Sequence, residues 1–549
     1  MKLLNIKIII IAGLLAVSCA GHDNVELGII PAPQNVVSSG NGSFNMAGAS
    51  FAAGEGISPR AIDAIRTFAE DLSSSTGVPS SVGTKGSIRF KVDTTLGDEA
   101  YSISIKRKGI TIEYATDKGV MYAISTLRQL LPVENYVGKP APDAKWELPC
   151  VKICDQPRFG YRGLLLDCGR HYFSTGEIKK CLDIMSVYKL NILHWHLTED
   201  QGWRIQIDTY PLLTEKASWR KGTQVGRDKT KNDGVPYGGY YTKDEIRDII
   251  AYADNLGIEI IPEIDLPGHM LAALSVYPEL GCTGGPYEVW TRWGVSPDVL
   301  CPGKEATFEF LENVLNEVAE LFPSRYVHIG GDECPKIRWQ DCPDCQARIN
   351  ELGLVAKDDI SAEQQLQCYV TSRVQDILAK KGKSIIGWDE ILEGDLKEGA
   401  TVMSWRGAKG GIEAAERGFK AIMCPYQYLY IDYAQVEEKD LGKEPMAMAG
   451  CLPIEKVYSF EPYEGIPDGQ TGNIIGVQAN LWTEYIGTDE YLEYMLLPRL
   501  AAASELQWTE VRNKNLDRVL NDIKTHQFRI YDQMGYNYSK VIMGIYGNK

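Results

Sequence analysis

Two adjacent carboxylates, Asp332 and Glu333, are the residues of this chain best placed for acid–base chemistry. They follow two glycines and a short apolar run at 326–329. Glycine lets a backbone approach a ligand closely, so a turn here can direct both carboxylates into one pocket. Like charges side by side raise one pKa and leave a protonated acid beside an ionised carboxylate, which is what the cleavage of a glycosidic bond requires. An ordinary surface Asp-Glu dipeptide is the alternative interpretation.

Tryptophans stand at the ends of other apolar runs, next to further carboxylates. Ten of the eleven tryptophans lie at or after Trp195, and Trp388, Trp405 and Trp482 each stand where a run ends. Indole rings pack against the C–H face of a sugar, while carboxylates and arginine bind its hydroxyls. A phosphate or acyl substrate would instead favour Arg/Lys clusters or a Ser-His-Asp set. The alternative is that these tryptophans only fill the core.

Eight short apolar runs position these residues and alternate with amphipathic stretches. The predicted strands are 161–166, 192–197, 258–264, 326–329, 384–388, 401–405, 421–425 and 474–481. Capping boxes at 174–177 and 242–245 predict two helix starts. Strands buried on both faces that alternate with helices imply a parallel sheet, and eight of them predict an α/β fold of the (β/α)8 TIM-barrel type. No GxGxxG or Walker motif follows a strand, so nucleotide binding has no support.

The composition divides the chain into regions. Residues 20–155 are rich in Gly, Ser and short alternating runs, and they predict a smaller, non-catalytic α+β domain with a hairpin over 100–105 and 109–114. We assign residues 156–510 to the catalytic barrel. Residues 511–549 are expected to form a helical extension packed on it.

The first nineteen residues read as a processing signal. Lys2 and Lys7 precede an apolar run of ten residues at 8–17, about half of the ~20 that a membrane-spanning helix needs. The run ends at Ala16-Val17-Ser18-Cys19, which resembles a bacterial lipoprotein cleavage box and predicts lipidation of Cys19. The alternative is an ordinary signal peptide with an incidental cysteine. We expect an exported protein, in the periplasm or at the outer membrane or cell surface, that meets the membrane only through its lipid.

The charge balance argues against a polyanionic partner. The chain has 73 acidic and 57 basic residues and a formal net charge of −16. Nucleic-acid binding usually needs clustered Lys and Arg, and no such block occurs. We therefore expect no nucleic-acid partner.

Six ordered motifs resemble glycoside hydrolase family 20, the β-N-acetylhexosaminidases. They are Arg162-Gly-Leu-Leu-Leu-Asp167 with Arg170-His171-Tyr-Phe, His194-Trp-His-Leu-Thr-Glu-Asp-Gln-Gly-Trp203, Glu263-Ile-Asp-Leu-Pro-Gly-His269, His328-Ile-Gly-Gly-Asp-Glu333, Gly387-Trp-Asp-Glu390 and Leu481-Trp-Thr-Glu484. The resemblance covers about residues 156 to 510, and the preceding α+β segment is similar to the family's usual N-terminal domain.

The resemblance implies exo-acting, retaining hydrolysis of terminal β-linked N-acetylhexosamines from oligosaccharides. Glu333 would act as general acid and then as general base, with His269 supporting it. Asp332 would orient the substrate's 2-acetamido group, whose carbonyl oxygen attacks C1 to form an oxazolinium intermediate. No enzymic nucleophile, cofactor or metal is implied.

The resemblance also implies a set of residues around the sugar. The walls of the acetamido pocket would be Trp388, Trp405 and Trp482. The polar ligands would be Tyr430 for the acetamido carbonyl and Arg170, Asp432 and Glu484 for the outer hydroxyls. Where the family often has Asp-Asp, this chain has Glu199-Asp200, and Glu199 is expected to bind a hydroxyl or to pair with Arg170.

Two pairs of cysteines after the third predicted strand lead to two separate predictions. Cys282 and Cys301 flank an insert that carries two tryptophans, and we predict a disulfide between them because a long rim loop of an exported barrel gains from a crosslink. Cys342 and Cys345 form a CxxC without a second CxxC or an HxxxH partner. We interpret this pair as a local disulfide or two unpaired thiols rather than a zinc site.

Two rival functions remain open on sequence grounds. His194 and His196 could place two imidazoles on one strand face for a metal-dependent barrel hydrolase. Such a site needs further ligands at later strand ends, and after His269 and His328 the only histidine is His526. A core or hydrogen-bonded role for His194 and His196 is therefore favoured over metal binding. The second rival is a non-catalytic glycan-binding lipoprotein on the same scaffold, against which the presence of both Asp332 and Glu333 argues.

Overall fold

The computed structural model of the chain describes residues 26–54, 56–357 and 359–547. The predicted leader and the predicted lipidation site at Cys19 lie outside these described residues. Within them, no helix has both the length and the apolar character of a membrane span.

A seven-stranded sheet with two helices forms the N-terminal domain. The strands are β1 (Asn35–Asn45), β2 (Ser50–Ala53), β3 (Ser81–Gly83), β4 (Ile88–Val92), β5 (Tyr101–Lys106), β6 (Gly109–Tyr114) and β7 (Glu147–Asp155), in the order β1-β7-β5-β6-β4-β2-β3. Helices α1 (Pro59–Thr76) and α2 (Asp117–Leu130) share its apolar core. The antiparallel pairing of β5 with β6 confirms the predicted hairpin.

Eight parallel strands close a barrel. They are β8 (Tyr161–Asp167), β9 (Ile192–His196), β10 (Glu259–Glu263), β11 (Tyr326–His328), β12 (Ser384–Trp388), β13 (Thr401–Ser404), β14 (Lys420–Met423) and β15 (Ile474–Leu481). Each predicted strand is confirmed, and β15 pairs with β8 to close the ring. Every residue of β8, β9 and β13 is buried because both faces of each strand are covered, which explains why neither face of these strands is consistently polar.

Helices surround the barrel and occupy its loops. They are α3 (Thr175–Val187), α4 (Lys243–Asn255), α5 (Glu305–Leu321), α6 (Ile337–Asp341), α7 (Pro343–Leu352), α8 (Ala362–Lys380), α9 (Lys409–Glu416), α10 (Ile454–Ser459), α11 (Asp489–Leu496) and α12 (Arg499–Trp508). Both predicted helix starts are confirmed: Ser174 accepts a hydrogen bond from the Glu177 amide, and Thr242 and Glu245 form a reciprocal capping box.

Short elements fill the remaining loops. The strand pairs are Thr198–Glu199 with Gly202–Trp203, Trp219–Arg220 with Tyr237–Gly238, and Tyr433–Ala434 with Met448–Cys451. Single helical turns lie at Leu212–Glu215, Leu271–Leu274 and Tyr426–Leu429.

A buried ion pair joins the two domains. Nζ of Lys189 lies 2.9 Å from Oδ2 of Asp155, and neither side chain is exposed. Trp508 donates its indole N–H to Oδ1 of Asp155 at 2.9 Å. Lys189 lies three residues before β9, so the small domain contacts the barrel at the amino end of this strand and not at the carboxyl end.

The C-terminal region packs on the helical layer of the barrel. It contains α13 (Leu516–Asp522), a π-helical turn (Ile523–Gln527) and α14 (Phe528–Met534). Val519, Ile523 and Tyr531 belong to the same buried apolar cluster as the barrel helices.

Candidate active site

The residues predicted to form the site gather at one end of the barrel. They are Arg170 after β8, Glu199 after β9, His269 after β10, Asp332 and Glu333 after β11, Trp388 in β12, Trp405 after β13, Tyr430 and Asp432 after β14, and Trp482 and Glu484 after β15. The carboxyl ends of the parallel strands all meet at this end, so the barrel brings together residues far apart in sequence.

Two glycines shape the loop that carries the carboxylate pair. Gly330 and Gly331 have φ angles of +65° and +100°. A Cβ atom at Gly330 would lie 1.8 Å from Oδ1 of Asp265, so only glycine fits there. The same Asp265 oxygen accepts a hydrogen bond from the Gly331 amide at 3.2 Å. This close approach of two strand ends determines the path of the loop that carries Asp332 and Glu333.

Two residues of the site have unusual backbone conformations. Glu333 has a φ of +46° and His269 a φ of +51°, and Lys189 is the only other non-glycine residue with positive φ in the described chain. This left-handed conformation costs an L-residue about 1–2 kcal/mol. Such conformations persist where the surroundings impose them, commonly at functional sites.

Asp332 has an unsatisfied carboxylate oxygen. Its Oδ1 is buried without a hydrogen-bond partner, and its Oδ2 lies 4.0 Å from Nε2 of His269. Burial raises the pKa of Asp332 to about 6, with a further contribution from Glu333 and an opposing one from His269. A buried acceptor without a donor is costly, so this oxygen is suited to a ligand N–H or O–H.

Glu333 faces the opening of the site. Its side chain is 43% exposed, and its Oε2 lies 3.7 Å from Nε2 of His269. A hydrogen bond from His269 lowers the pKa of Glu333 despite partial burial. One pKa of the pair is raised, as the sequence predicts, but in the free site it is that of Asp332 rather than that of the predicted acid.

Glu199 connects Arg170 to His269. Its Oε1 lies 2.5 Å from Nη2 of Arg170, and its Oε2 lies 3.0 Å from Nδ1 of His269. Burial opposes ionisation of Glu199, but the two cations outweigh it and hold its pKa below the ordinary range. Burial likewise lowers the pKa of His269, yet Glu199 raises it well above its usual value. Of its two expected roles, the structure places Glu199 in the pairing with Arg170.

The aromatic residues form one wall. The ring of Trp482 lies 5.8 Å from that of Trp388 and 6.2 Å from that of Tyr430, between ring centroids. Trp405 stacks on Tyr430 at 6.2 Å with an interplanar angle of 16°. The Arg170 guanidinium lies over Trp482 at 4.9 Å. This arrangement presents aromatic surface beside charged groups, as a sugar-binding pocket requires.

Asp432 and Glu484 add acceptors to the site. Both carboxylate oxygens of Asp432 are buried without a hydrogen-bond partner, and the side chain is 2% exposed. Burial raises the pKa of Asp432 well above its usual value, and the charge of Glu484 adds to this. Burial raises the pKa of Glu484 as well, against the opposing charge of Arg170.

Glu263 organises the barrel interior beneath the pocket, and the sequence did not single it out as a site residue. Its carboxylate lies 3.0 Å from Nε2 of His194 and 2.9 Å from Nδ1 of His328, and it also contacts His196. It accepts the indole N–H of Trp388 at 2.9 Å. The HxH pair of β9 thus holds a buried carboxylate, the hydrogen-bonded role weighed above against metal binding.

Glu390 is a further residue that the sequence did not assign to the site. Its Oε2 accepts the indole N–H of Trp405 at 3.0 Å. Burial, with the charges of Asp332 and Asp389, raises its pKa to about 8. The Trp-Asp-Glu motif contains the signal for it, because a carboxylate two residues after an end-of-strand tryptophan can reach the next strand's tryptophan.

The predicted disulfide between Cys282 and Cys301 is wrong in this structure, where both cysteines are free. The sulfur of Cys282 lies 3.8 Å from that of Cys345, and the sulfur of Cys301 lies 3.4 Å from that of Cys345 and 3.6 Å from that of Cys342. The loop of Cys282 and Cys301 therefore packs on the CxxC segment instead of closing on itself.

Comparison with known proteins agrees with this geometry. The profile of the glycosyl hydrolase family 20 catalytic domain matches residues 159–511, and that of the family's domain 2 matches residues 26–156. The exo β-N-acetylglucosaminidase of Vibrio harveyi, solved with N-acetylglucosamine, has a TM-score of 0.80 and 34% identity over 94% of this chain and 78% of that one. A mutant Streptomyces plicatus β-hexosaminidase in complex with its product GlcNAc has a TM-score of 0.79 and 31% identity over 95% and 98%.

A relative from Porphyromonas gingivalis, named β-hexosaminidase, is 44% identical over 82% of this chain but only 56% of its own length. The chain thus spans little more than half of that relative. The family match nevertheless covers most of both domains, and the predicted catalytic and sugar-binding residues stand at the carboxyl end of the barrel. The chain belongs to glycosyl hydrolase family 20.

Proposed function

We propose that this chain is an exo-acting β-N-acetylhexosaminidase that removes terminal β-linked GlcNAc or GalNAc from the non-reducing ends of glycans. The observation that carries the proposal is the buried, unpartnered Oδ1 of Asp332 beside the exposed carboxylate of Glu333. An acetamido N–H would give that oxygen the donor it lacks. The adjacent Glu333 would then face the glycosidic oxygen.

The proposed reaction retains the anomeric configuration. The acetamido carbonyl oxygen attacks C1 while the C1–O bond to the leaving group breaks and Glu333 transfers its proton to that oxygen. Asp332 stabilises the positive charge on the resulting oxazolinium ring through the N–H. Glu333, now a carboxylate, takes a proton from water as the water oxygen attacks C1 and reopens the ring.

Substrate binding supplies the protonation states that this reaction needs. A sugar above Glu333 would cover the exposed carboxylate, and loss of water raises the pKa of such a group. The acetamido N–H would stabilise the ionised form of Asp332 and lower its pKa. The single proton of the pair would therefore move from Asp332 to Glu333 when the substrate binds.

The outer end of the sugar would be held by Arg170, Asp432 and Glu484. Asp432 has two unpartnered oxygens, which sugar hydroxyls would satisfy. Charged groups left without hydroxyl partners in a dry pocket cost more than the contacts contribute, so a substituent on these hydroxyls would be rejected. This arrangement favours release of one terminal sugar at a time.

The first test replaces the acid. Glu333→Gln should lower kcat about 10²–10⁴-fold on an N-acetylglucosamine disaccharide, and less on an activated aryl glycoside whose leaving group needs little protonation. Equal losses on both substrates, or none, would contradict the assignment. If the wild-type protein is folded and binds N-acetylglucosamine but hydrolyses neither substrate, it is a glycan-binding protein and not an enzyme.

The second test removes the acetamido group. An aryl β-glucoside keeps the hydroxyl contacts but lacks the internal nucleophile, so it should be almost inert. Asp332→Asn should also lower turnover strongly on the N-acetyl substrate. Cleavage of the glucoside at a comparable rate would exclude substrate assistance.

The third test concerns the end from which the enzyme works. A chitin oligomer labelled at its reducing end should yield a ladder of products that each lack one more sugar. Early release of internal fragments would show that the pocket is open beyond the terminal ring.

From the predicted leader we further propose that the protein is exported and anchored through a lipid on Cys19. Metabolic labelling with a fatty acid should mark the wild-type protein and not Cys19→Ser. Labelling of both, or of neither, would remove the lipid anchor from the proposal.

A further inference from the structure

Four cysteine sulfurs converge beside the active-site loops. Cys342 and Cys345 of the CxxC segment contact Cys282 and Cys301 of the insert after β10. The sulfur of Cys301 lies 3.4 Å from that of Cys345 and 3.6 Å from that of Cys342, and the sulfur of Cys282 lies 3.8 Å from that of Cys345. All four sulfurs lie within 4.8 Å of one another. Three of the cysteines are buried and Cys282 is half-buried.

These three sulfur separations are close to those of a tetrahedral metal–thiolate site. Zinc binds four cysteine sulfurs at about 2.3 Å, and the edges of such a tetrahedron are about 3.8 Å long. Sulfurs in a disulfide are bonded at about 2.05 Å. Thiols that only fill a core need not direct four sulfurs toward one point.

The surroundings would stabilise thiolates. Cys342 is the N-cap residue of α7 and Cys345 lies in its first turn, where the helix dipole favours negative charge. Nζ of Lys304 donates to the carbonyl of Gly281 at 2.8 Å, and Nη2 of Arg348 donates to the carbonyl of Gly303 at 3.4 Å. Each cation thus contacts the backbone within two residues of a loop cysteine, Gly281 beside Cys282 and Gly303 two positions after Cys301.

The two segments that carry the cysteines are closely packed. A Cβ atom at Gly303 would lie 2.2 Å from the carbonyl carbon of Asp344, so glycine is needed for the Cys301 loop to rest on the first turn of α7. Val299, Trp339 and Ile349 surround the sulfurs in one apolar cluster. Such a shell limits the access of water and oxidants.

We propose that Cys282, Cys301, Cys342 and Cys345 bind one zinc ion. Four protein ligands leave no open coordination position, so the ion is structural rather than catalytic. Sequence reasoning favoured a disulfide or free thiols because only one ligand pair is a CxxC, while the other two ligands stand nineteen positions apart.

The ion would hold together two segments that flank the site. The Leu300 amide donates to the carbonyl of Pro267 at 3.0 Å, two residues before His269. The indole N–H of Trp339 donates to the carbonyl of Leu300 at 2.9 Å. Cys334, the neighbour of Glu333, belongs to the same apolar cluster as the four ligands. The zinc site thereby supports the loops of His269 and Glu333 without touching the substrate.

The test measures metal and thiols on the full-length protein, purified without a metal-affinity step. Mass spectrometry of the metals should find about one zinc per chain. Alkylation in denaturant should modify four additional cysteines only when a chelator is present. Replacement by Co²⁺ should give the visible absorption of a tetrahedral cobalt–thiolate site.

Matched variants locate the metal. Cys342→Ser should lower bound zinc at least fivefold and reduce the melting temperature, whereas Cys451→Ser, a half-buried cysteine outside the cluster, should leave both unchanged. If Cys342→Ser does not fold, the zinc content and cobalt spectrum of the wild-type protein decide the matter alone.

Three results would overturn the proposal. They are two disulfides among the four cysteines, seen as a loss of four hydrogen atoms in the intact mass; free thiols that hold no zinc after incubation with excess Zn²⁺; and iron in place of zinc. None of these readouts depends on hydrolytic activity, so the zinc site and the proposed function can fail separately.

Discussion

Replacing Gly330 by alanine tests how the barrel orients Asp332 and Glu333, the proposed catalytic pair. The new Cβ would lie 1.8 Å from Oδ1 and 2.3 Å from Cγ of Asp265, whereas real Cβ atoms stay about 3.0 Å or more from other heavy atoms. Either Asp265 or the Gly330 backbone must then move by roughly 1 Å. The Asp265 oxygen that is displaced is the acceptor of the Gly331 amide, so the strain passes directly to Asp332 and Glu333.

The magnitude has two parts. A positive φ costs alanine about 1–2 kcal/mol of stability relative to glycine, wherever it occurs. Misplacement of a catalytic group by about 1 Å costs up to about 10² in rate. We therefore expect Gly330→Ala to lose stability and also about 100-fold in kcat.

Gly382→Ala is the matched control. Gly382 has a similar φ of +71°, and a Cβ there meets no atom within 4 Å. It should lose a similar amount of stability in urea unfolding and keep its kcat on an aryl N-acetyl-β-glucosaminide. The reasoning is refuted if Gly330→Ala keeps kcat within twofold of the wild-type value at a temperature where both variants are folded.

Three further results are expected. The kcat/KM should fall above about pH 6, because the carboxylate pair then loses the one proton that Glu333 must donate, and Asp332 has a pKa of about 6 in the free site; a profile that stays flat to about pH 8 would contradict this. Asp432→Asn should lower kcat/KM about 10–100-fold and raise the melting temperature, since it removes a buried carboxylate without partners; unchanged kcat/KM would remove Asp432 from the sugar site. Lys189→Met should cost about 3–5 kcal/mol in urea unfolding because it leaves Asp155 buried without its cation; a loss below about 1 kcal/mol would show that the pair does not join the domains.

The pKa values of the substrate-free site explain why the sequence alone does not show which of the two adjacent carboxylates holds the proton. Adjacent carboxylates must share protons unequally, and the sequence predicts this. Which of the two keeps the proton depends on burial and on His269, which lies 3.7 Å from Glu333 and 4.0 Å from Asp332. His269 is sixty-three positions before Asp332, so no local pattern contains this information.

The residue pattern by itself determines the barrel and the end at which its chemistry lies. Short, mostly apolar runs such as the one in β8, alternating with amphipathic helical patterns, indicate strands covered on both faces, and polar residues at the carboxyl ends of such strands share one opening. Successive side chains of a strand point to opposite faces, so the face on which a residue lies also follows from the local sequence. For these reasons the strands and the position of Trp388 at the end of β12 follow from sequence.

Only the tertiary structure determines which side chains form ion pairs and hydrogen bonds with one another. Glu199 lies between Arg170 and His269, and Glu263 binds three histidines, because the barrel sets the distances between strands that are far apart in the chain. The cysteines show the same limit. Cys282 and Cys301 suggest a disulfide when read along the sequence, but their loop packs on the start of α7. Their sulfurs then meet those of the CxxC segment, because the folded loops, and not the spacing in the chain, determine which sulfurs come within reach.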